Sequence, residues 1–265
     1  MNPDVTFALE IAQAAGDLLA NRPDSLELDT KSTPTDVVTH MDKLSEQLLV
    51  NKITEQRPND GILGEEGTDV ASTSGRMWVI DPLDGTVNYL YKLPFWAVSI
   101  GLIDAVTGDG LVGVVAAPQL GKTWVGHKGH GSFVISEGNI EPLAVSACAT
   151  IDRALIGTGF GYSDVRRASQ GRVLSALLPG LRDIRRMGSC AIDLCMVAEG
   201  NLDAYFERGV NPWDHAGGGV IAREAGAAVS GLWGATEGSE MLVAANPTLA
   251  QLLVSELESL NADTD

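Results

Sequence analysis

Several acidic residues of this 265-residue chain stand next to short apolar runs, where carboxylates could bind a cation. The most informative segment is WVIDPLDGTVNY, residues 78–89, in which Asp81 and Asp84 follow an apolar stretch and precede Gly85 and Thr86. Two carboxylates at the end of a buried strand destabilise each other, unless a shared divalent cation removes the repulsion. Gly85 would also let backbone N–H groups approach a phosphate oxygen. The segment indicates a cation site beside a phosphate site, although an ordinary acidic β-turn explains it equally well when it is taken alone.

Three further segments carry carboxylates in similar positions. Glu65 and Glu66 follow the apolar run GIL, Asp214 stands at the head of a small-residue helix, and Asp42 heads an earlier helix. An aspartate at a helix N-terminus can serve only as a cap that meets free N–H groups. Four such segments in one chain nevertheless favour a shared function. A set of carboxylate oxygens indicates magnesium or manganese, and not zinc or copper.

The composition restricts the partners of the chain. It has 35 acidic and 18 basic residues, and its formal net charge of −17 repels nucleic-acid backbones and anionic membranes. The same charge would repel a phosphate substrate unless bound cations reverse the local field. The first residues, MNPDVTFALE, include no basic side chain, and no apolar run is long enough for a membrane span. We expect a soluble cytoplasmic protein with no nucleic-acid and no membrane partner.

The first part of the chain is predicted to form two helices followed by a sheet. Apolar spacing predicts helices over residues 4–19, with Asp4 as cap, and over about 42–56, with a loop or short hairpin over 31–42 between them. Beyond Pro58, short apolar runs alternate with glycine-bearing turns, which is typical of an antiparallel meander. One predicted strand ends at Asp81, where Pro82 would fix a turn.

The second part of the chain is predicted to alternate between strands and helices. The strands are expected at 154–160, 184–187, 202–206 and 241–245, and the helices at 163–178, 189–199, 214–225 and after Pro247. No low-complexity linker separates the two parts. We therefore expect a single domain over residues 1–265, with sub-regions at about 1–148 and 149–265. The predicted class is α+β, with layers of helix and sheet packed against each other.

Three blocks of the sequence, in this order and spacing, resemble the signature motifs of the inositol monophosphatase family. They are GEEG (64–67), WVIDPLDGTVNY (78–89) and WDHAGGGVIAREAGA (213–227). DVVTHMD (36–42) and GSCAIDLCMVAEG (188–200) are similar to that family as well, and the likeness extends from Lys31 to about Asn246, closest to the actinobacterial branch. The resemblance implies a layered αβαβα sandwich of the inositol monophosphatase and fructose-1,6-bisphosphatase type. It also implies a magnesium-dependent, lithium-sensitive phosphomonoesterase that forms a homodimer.

The resemblance also implies metal ligands. Glu65, Asp81 and the carbonyl of Leu83 match the ligands of a first metal, and Asp81, Asp84 and Asp214 match those of a second. Asp81 would then bridge the two, and Glu65 would also hold a third, weaker metal. Two or three Mg²⁺ per site are expected, with Mn²⁺ as an alternative. Metals about 3.5–4 Å apart can stabilise both the attacking and the leaving oxygen of an in-line displacement.

The catalytic and substrate-binding residues are likewise implied by the resemblance. Thr86 and Asp42 match the pair that orients and helps to deprotonate the attacking water, and Glu65 belongs to the same catalytic set. Glu207 matches the position that binds inositol hydroxyls. The remaining predicted substrate contacts are Asp84, Gly85, Thr86, Asp214, Gly188, Ser189 and Cys190. Cys190 stands where the animal enzymes usually have alanine, so the family pattern does not predict the fine shape of the pocket for the alcohol half of the substrate.

The sequence also leaves the identity of the substrate undecided, because the fold alone does not determine it. Myo-inositol monophosphate is the first expectation, and histidinol phosphate, fructose 1,6-bisphosphate or a nucleotide 3′-phosphate are alternatives. A non-catalytic interaction protein is a further alternative, since some bacterial members of the family have been linked to RNA metabolism. GHKGHG (126–131) is interpreted as a β-turn between two strands. GTGFG (157–161) is interpreted as a loop, because it lacks the last glycine of a dinucleotide-binding motif.

Overall fold

In the part of the chain that the structure describes, helices lie between and outside a large and a small β-sheet, and two further short strands pair with each other. The structure is a computed structural model that describes residues 2–23, 25–26, 28–30 and 37–264. The first six residues of the loop or hairpin predicted over 31–42 lie outside these ranges, and the short strands before and after them pair in antiparallel. None of the helices in the described ranges has the length and apolarity needed to cross a bilayer.

The helices that were predicted from apolar spacing are present with small changes at their ends. In chain order they are α1 Pro3–Ala20, α2 His40–Gln56, α3 Thr86–Leu90, α4 Asp164–Leu177, α5 Cys190–Ala198, α6 Pro212–Glu224 and α7 Pro247–Ser259. The prediction that Asp4 caps α1 is wrong, because the side chain of Asn2 accepts the N–H of Asp4 at 2.8 Å and Pro3 takes the first helical position. The short α3 was not predicted.

The strands form one large sheet, one smaller sheet and a two-stranded pair. The pair is β1 Leu28–Thr30 and β2 Val37–Thr39. The large sheet has the order β10-β9-β8-β7-β6-β5-β3-β4, with β3 Gly61–Gly64, β4 Asp69–Val70, β5 Arg76–Asp84, β6 Ala97–Asp104, β7 Gly110–Ala117, β8 Lys122–His127, β9 Ser132–Ser136 and β10 Asn139–Pro142. The small sheet has the order β12-β11-β13-β15-β14, with β11 Leu155–Thr158, β12 Asp183–Arg185, β13 Ala204–Glu207, β14 Ala228–Ser230 and β15 Leu242–Ala245.

The large sheet departs from the predicted antiparallel meander at one place. Strands β5 to β10 pair in antiparallel, but β3 runs parallel to β5, with Ile62 opposite Trp78. The reason is that β3 first turns back into β4, which takes the outer edge, so that the chain must cross over before β5.

The layers follow the predicted order. Helices α1 and α2 contact one face of the large sheet, α5 and α6 contact its other face, and α7 contacts the small sheet from the outside. Val173 and Leu177 of α4 belong to the apolar cluster in which α7 packs against the small sheet. Because α5 also contacts β13 and β15, the helix pair α5–α6 lies between the sheets. The αβαβα sandwich is confirmed, whereas the division into one domain with two sub-regions stays a prediction.

Three glycines of the large sheet determine how closely α6 approaches it. Gly101, Gly113 and Gly126 stand opposite one another on β6, β7 and β8. A Cβ atom at Gly113 would lie 2.2 Å from the carbonyl oxygen of Gly217 in α6, and the other two glycines face α6 at similarly short range. Larger residues would force α6 away from the sheet. The glycines therefore bring the N-terminal turn of α6, and with it Asp214, close to the sheet.

Candidate active site

A β-bulge in β5 presents the first two carboxylates. Asp81 pairs with Ser99 and Asp84 with Ala97, so the stretch between the two aspartates contains one residue more than its partner. Pro82 therefore lies within the strand and not in a turn after it, which corrects the sequence-based prediction. The missing N–H of a proline is tolerated at a bulge, where ladder hydrogen bonds are interrupted. The N–H of Leu83 donates to Asp81 Oδ1 at 3.0 Å.

The N-terminus of α5 holds Asp84. Its Oδ2 atom accepts from Ser189 Oγ at 2.6 Å and from the N–H of Ala191 at 2.7 Å. The Ser189 side chain also caps α5 by accepting the N–H of Ile192 at 3.2 Å. One side of the Asp84 carboxylate is thus fixed by the helix, and Oδ1 is left for another contact. Ser189, which was predicted as a substrate contact, is placed here as a holder of Asp84.

Thr86 and Asp42, which match a pair in the family, lie in hydrogen-bonding contact although they stand 44 positions apart. Thr86 Oγ1 lies 2.9 Å from Asp42 Oδ1 and 3.1 Å from the carbonyl oxygen of Leu83. Asp42 Oδ2 accepts from the N–H and the hydroxyl of Thr39 at 2.9 and 2.6 Å, which makes a capping box for α2. Asp42 is therefore both a cap and a partner of Thr86. Burial raises its pKa, against the hydrogen bonds that lower it.

The turn that carries Glu65 rests on a buried carboxylate that the sequence analysis missed. Glu46 of α2 is only 5% exposed, and it accepts from the N–H of Glu66 at 2.8 Å and from the hydroxyl and N–H of Thr68 at 2.7 and 3.2 Å. A Cβ atom at Gly64 would lie 2.5 Å from this carboxylate, so only glycine fits there. Glu46 thus fixes the part of the turn that follows Glu65 and packs against Gly64 directly before it. Its position one helical turn after Asp42 was the available signal, because residues i and i+4 share a helix face.

Asp214 reaches the same cleft from α6. It is the third residue of that helix, and its Oδ2 atom accepts the N–H of Asn211 at 2.6 Å in a second capping box. The position of the helix end is fixed by the glycine contacts with the large sheet. Asp214 thus combines the capping role with a place in the carboxylate set.

The carboxylates raise one another's pKa. Burial comes first for Asp81, whose pKa is raised well above its ordinary value, and the charges of Glu65, Asp84 and Asp214 add to it. Burial also raises the pKa of Asp84 to about 7, although the bonds from Ser189 and Ala191 act in the opposite direction. The pKa of Asp214 rises through burial and through the charge of Asp84. Such repulsion within one cleft is the arrangement that a divalent cation stabilises.

The donor set fits magnesium. It consists of carboxylate oxygens and the carbonyl oxygen of Leu83, and oxygen ligands of this kind are those that magnesium prefers. The Leu83 carbonyl oxygen lies 3.1 Å from Thr86 Oγ1. Within the ranges that the structure describes, no three His, Cys, Asp or Glu side chains already stand together as a closed ligand cluster. Glu65 and Asp81 are nevertheless within hydrogen-bonding reach of each other.

Two turns with positive φ lie side by side next to the carboxylates. Gly85 has φ of +90° and caps α3, and a Cβ atom there would lie 2.7 Å from the carbonyl oxygen of Phe95. Gly188 has φ of +88°. The buried side chain of Asn88 joins the turns, because its Nδ2 atom donates to the carbonyls of Phe95 and Met187 at 2.6 and 2.8 Å. Sequence reasoning missed Asn88, although it lies within the WVIDPLDGTVNY block.

Glu207 lies near the carboxylate set on β13, and its charge raises the pKa of both Asp84 and Asp214. Its Oε2 atom accepts the hydroxyl of Tyr205 at 2.5 Å. Burial raises the pKa of Glu207, whereas the bond from Tyr205 and the charge of Arg186 lower it. Cys190 lies at the same wall, in hydrogen-bonding contact with Tyr205.

The structure thus brings the predicted residues of the metal and water-activating sets to one cleft from β5, α2, α6 and the turn after β3. Their binding and catalytic roles stay predictions.

Comparison with known proteins gives one family. The model of the inositol monophosphatase family matches residues 1–262. The inositol-1-monophosphatase of Mycobacterium leprae is 45% identical over 238 residues, which cover 87% of this chain and 81% of that protein. The Nus factor SuhB of Pasteurella multocida is 36% identical, with 99% and 98% covered. The crystal structure of the extragenic suppressor protein suhB from Bartonella henselae has a TM-score of 0.87 at 28% identity, with 96% and 97% covered. The chain therefore belongs to the inositol monophosphatase family, a family of phosphoric monoester hydrolases.

Proposed function

We propose that the protein hydrolyses a small phosphate monoester, myo-inositol monophosphate first among them, in a magnesium-dependent reaction. The observation that carries this proposal is the set of repelling carboxylates Asp81, Asp84 and Asp214 beside the Thr86–Asp42 hydrogen bond. The similarity to an inositol-1-monophosphatase supports the substrate. A homodimer, a cytoplasmic location and inhibition by lithium stay expectations from the family.

One group of residues would activate the attacking water, and another would bind the phosphate. When bound, magnesium supplies positive charge that makes water more acidic and offsets the charge on the leaving oxygen. Thr86 donates its proton to Asp42, so its oxygen is free to accept a proton from the attacking water. The raised pKa of Asp42 makes this carboxylate a better proton acceptor. Backbone N–H groups at Gly85 and Thr86 would bind phosphate oxygens, and water would protonate the leaving alkoxide.

A non-catalytic role is the second candidate, and the similarity to a Nus factor is the observation that favours it. A net charge of −17 is unfavourable for direct contact with RNA. The two roles separate in a variant that has lost turnover but keeps its fold, because an interaction role would survive the substitution.

The alcohol half of the substrate is tested with Glu207→Ala. If Glu207 accepts a hydrogen bond from a ring hydroxyl, kcat/KM for myo-inositol 1-phosphate should fall by about 10–100-fold, the value of one hydrogen bond to a charged group. Glycerol 2-phosphate, which lacks the ring, should lose much less. The measurement is phosphate release in magnesium buffer, with histidinol phosphate and fructose 1,6-bisphosphate in the same panel.

The control is Glu199→Ala, which removes a carboxylate that pairs with Lys122. It should change both substrates by less than about twofold. Equal losses on both substrates in Glu207→Ala would remove the reason to prefer inositol over the other esters.

A further inference from the structure

A buried tyrosine hydroxyl holds one oxygen of Glu207. Tyr205 and Glu207 are two positions apart on β13, so their side chains share one face of the strand. Tyr205 is 0% exposed, and its hydroxyl donates to Glu207 Oε2 at 2.5 Å. A hydrogen bond to a charged acceptor in a buried position is among the stronger contacts in a protein.

The neighbouring strand leaves the space that this carboxylate fills. Gly159 follows β11, which runs parallel to β13 with Thr158 opposite Phe206. A Cβ atom at Gly159 would lie 1.8 Å from Glu207 Oε2 and 2.3 Å from Oε1. Any side chain there would displace the carboxylate. The GTGFG run, which resembled loop chemistry in the sequence, thus contains a glycine on which the Glu207 position depends.

Cys190 completes the contact from the helix layer. Its buried thiol is in hydrogen-bonding contact with the Tyr205 hydroxyl. Burial raises the pKa of Cys190, so the side chain stays a neutral thiol beside the tyrosine oxygen. The single proton of the Tyr205 hydroxyl is donated to Glu207.

We propose that Tyr205, supported by Cys190 and by the space at Gly159, is a positioning residue that fixes Glu207 so that Oε1 alone accepts a hydrogen bond from the alcohol half of the substrate. This inference rests on the proposed function. Glu207 would then bind one hydroxyl of a polyol phosphate, and not a vicinal pair across both oxygens. Tyr205 itself does not touch the reacting atoms.

The first test is Tyr205→Phe, which removes the hydroxyl and keeps the ring. For myo-inositol 1-phosphate, KM should rise by about 5–30-fold with little change in kcat, the range expected for one lost hydrogen bond to a charged group. For glycerol 2-phosphate both constants should stay within about twofold. In a Glu207→Ala background the Tyr205→Phe replacement should have no further effect on either substrate, because the positioned group is absent.

Tyr89→Phe is the matched control. Tyr89 is equally buried, and its hydroxyl donates to the carbonyl of Leu19 at 2.8 Å. Its replacement should leave the ratio of the two kcat/KM values unchanged. The proposal is overturned if Tyr205→Phe weakens both substrates equally, or if its effect is undiminished in the Glu207→Ala background.

Measurements of unfolding in the absence of substrate test this inference independently of the proposed function. The free energies of unfolding of Tyr205→Phe, Glu207→Ala and the double variant should be non-additive, since the two side chains are in contact. A wild-type protein without activity on myo-inositol 1-phosphate would overturn the proposed substrate, and the same comparison would then be made on the ester that it does hydrolyse. Additive unfolding free energies would overturn the contact itself.

Discussion

Replacing Asp84 by asparagine should reduce turnover by about a thousandfold or more while making the metal-free protein more stable. Loss of the charge stabilisation that a metal ligand supports is worth several kcal/mol, and each ~1.4 kcal/mol is a factor of ten in rate. The fold should survive, because an asparagine oxygen can still accept from Ser189 Oγ and the N–H of Ala191. Stability rises because one of several repelling charges is removed.

The gain in stability has a definite pH dependence. The pKa of Asp84 is raised to about 7 in the folded protein, so between its ordinary value and 7 the folded state binds more protons than the unfolded state. The stability that this group contributes is therefore present at low pH and is lost as the pH rises towards 7. In EDTA buffer, the Tm difference between Asp84→Asn and wild type should grow from pH 4 to 7 and stay level above it.

Asp60→Asn is the matched control for a buried aspartate. Asp60 accepts from Ser74 Oγ and from Trp78 Nε1, outside the carboxylate set. It should show no such gain, because an amide group would face one of these donors, and it should keep turnover. Near-normal rates in Asp84→Asn, or a Tm difference that does not depend on pH, would show that Asp84 has been assigned wrongly.

Glu46→Ala should lower activity by about a hundredfold and raise the magnesium concentration that half-maximal activity requires. Glu46 touches no predicted substrate or metal atom, but it accepts three hydrogen bonds from the turn around Glu65. A displacement of about 1 Å in a catalytic group can cost about a hundredfold in rate. The unpaired donors should also destabilise the protein by about 1–3 kcal/mol each where they stay buried.

Magnesium titrations, followed by activity and by calorimetry, separate this positioning role from a loss of fold. Thr68→Val removes one of the three hydroxyl and N–H donors and should have a smaller effect in the same direction. A folded Glu46→Ala protein with unchanged magnesium dependence would show that the turn holds Glu65 without Glu46.

The sequence predicted local chemistry better than it predicted the partners of that chemistry. Asp81 and Asp84 could be recognised because they are neighbours in one block, and Thr86 and Asp42 because both belong to motifs of the family. Glu46 was not assigned, because the N–H groups and the hydroxyl that it accepts belong to a turn far along the chain, and only its spacing of four residues from Asp42 pointed to the site. The role of Gly159 was missed for the same reason, because the side chain that needs its space comes from another strand.

The fold shows the same difference. Amphipathic spacing located the long helices within a few residues, because apolar periodicity directly reflects burial. The continuation of β5 through Pro82 depends on a bulge, and the parallel pairing of β3 with β5 depends on a crossover. Both involve residues far apart in the chain. The α3 helix, with five residues, is too short to show a period.

The central claim is that these carboxylates support magnesium-dependent hydrolysis of a phosphate monoester. Phosphate release from myo-inositol 1-phosphate, measured on exhaustively chelated protein during stepwise addition of magnesium, tests it most directly. The account predicts no release after chelation, recovery with magnesium and in part with manganese, inhibition by lithium, and no recovery in Asp84→Asn. Full turnover after chelation, or equal recovery in Asp84→Asn, would contradict it.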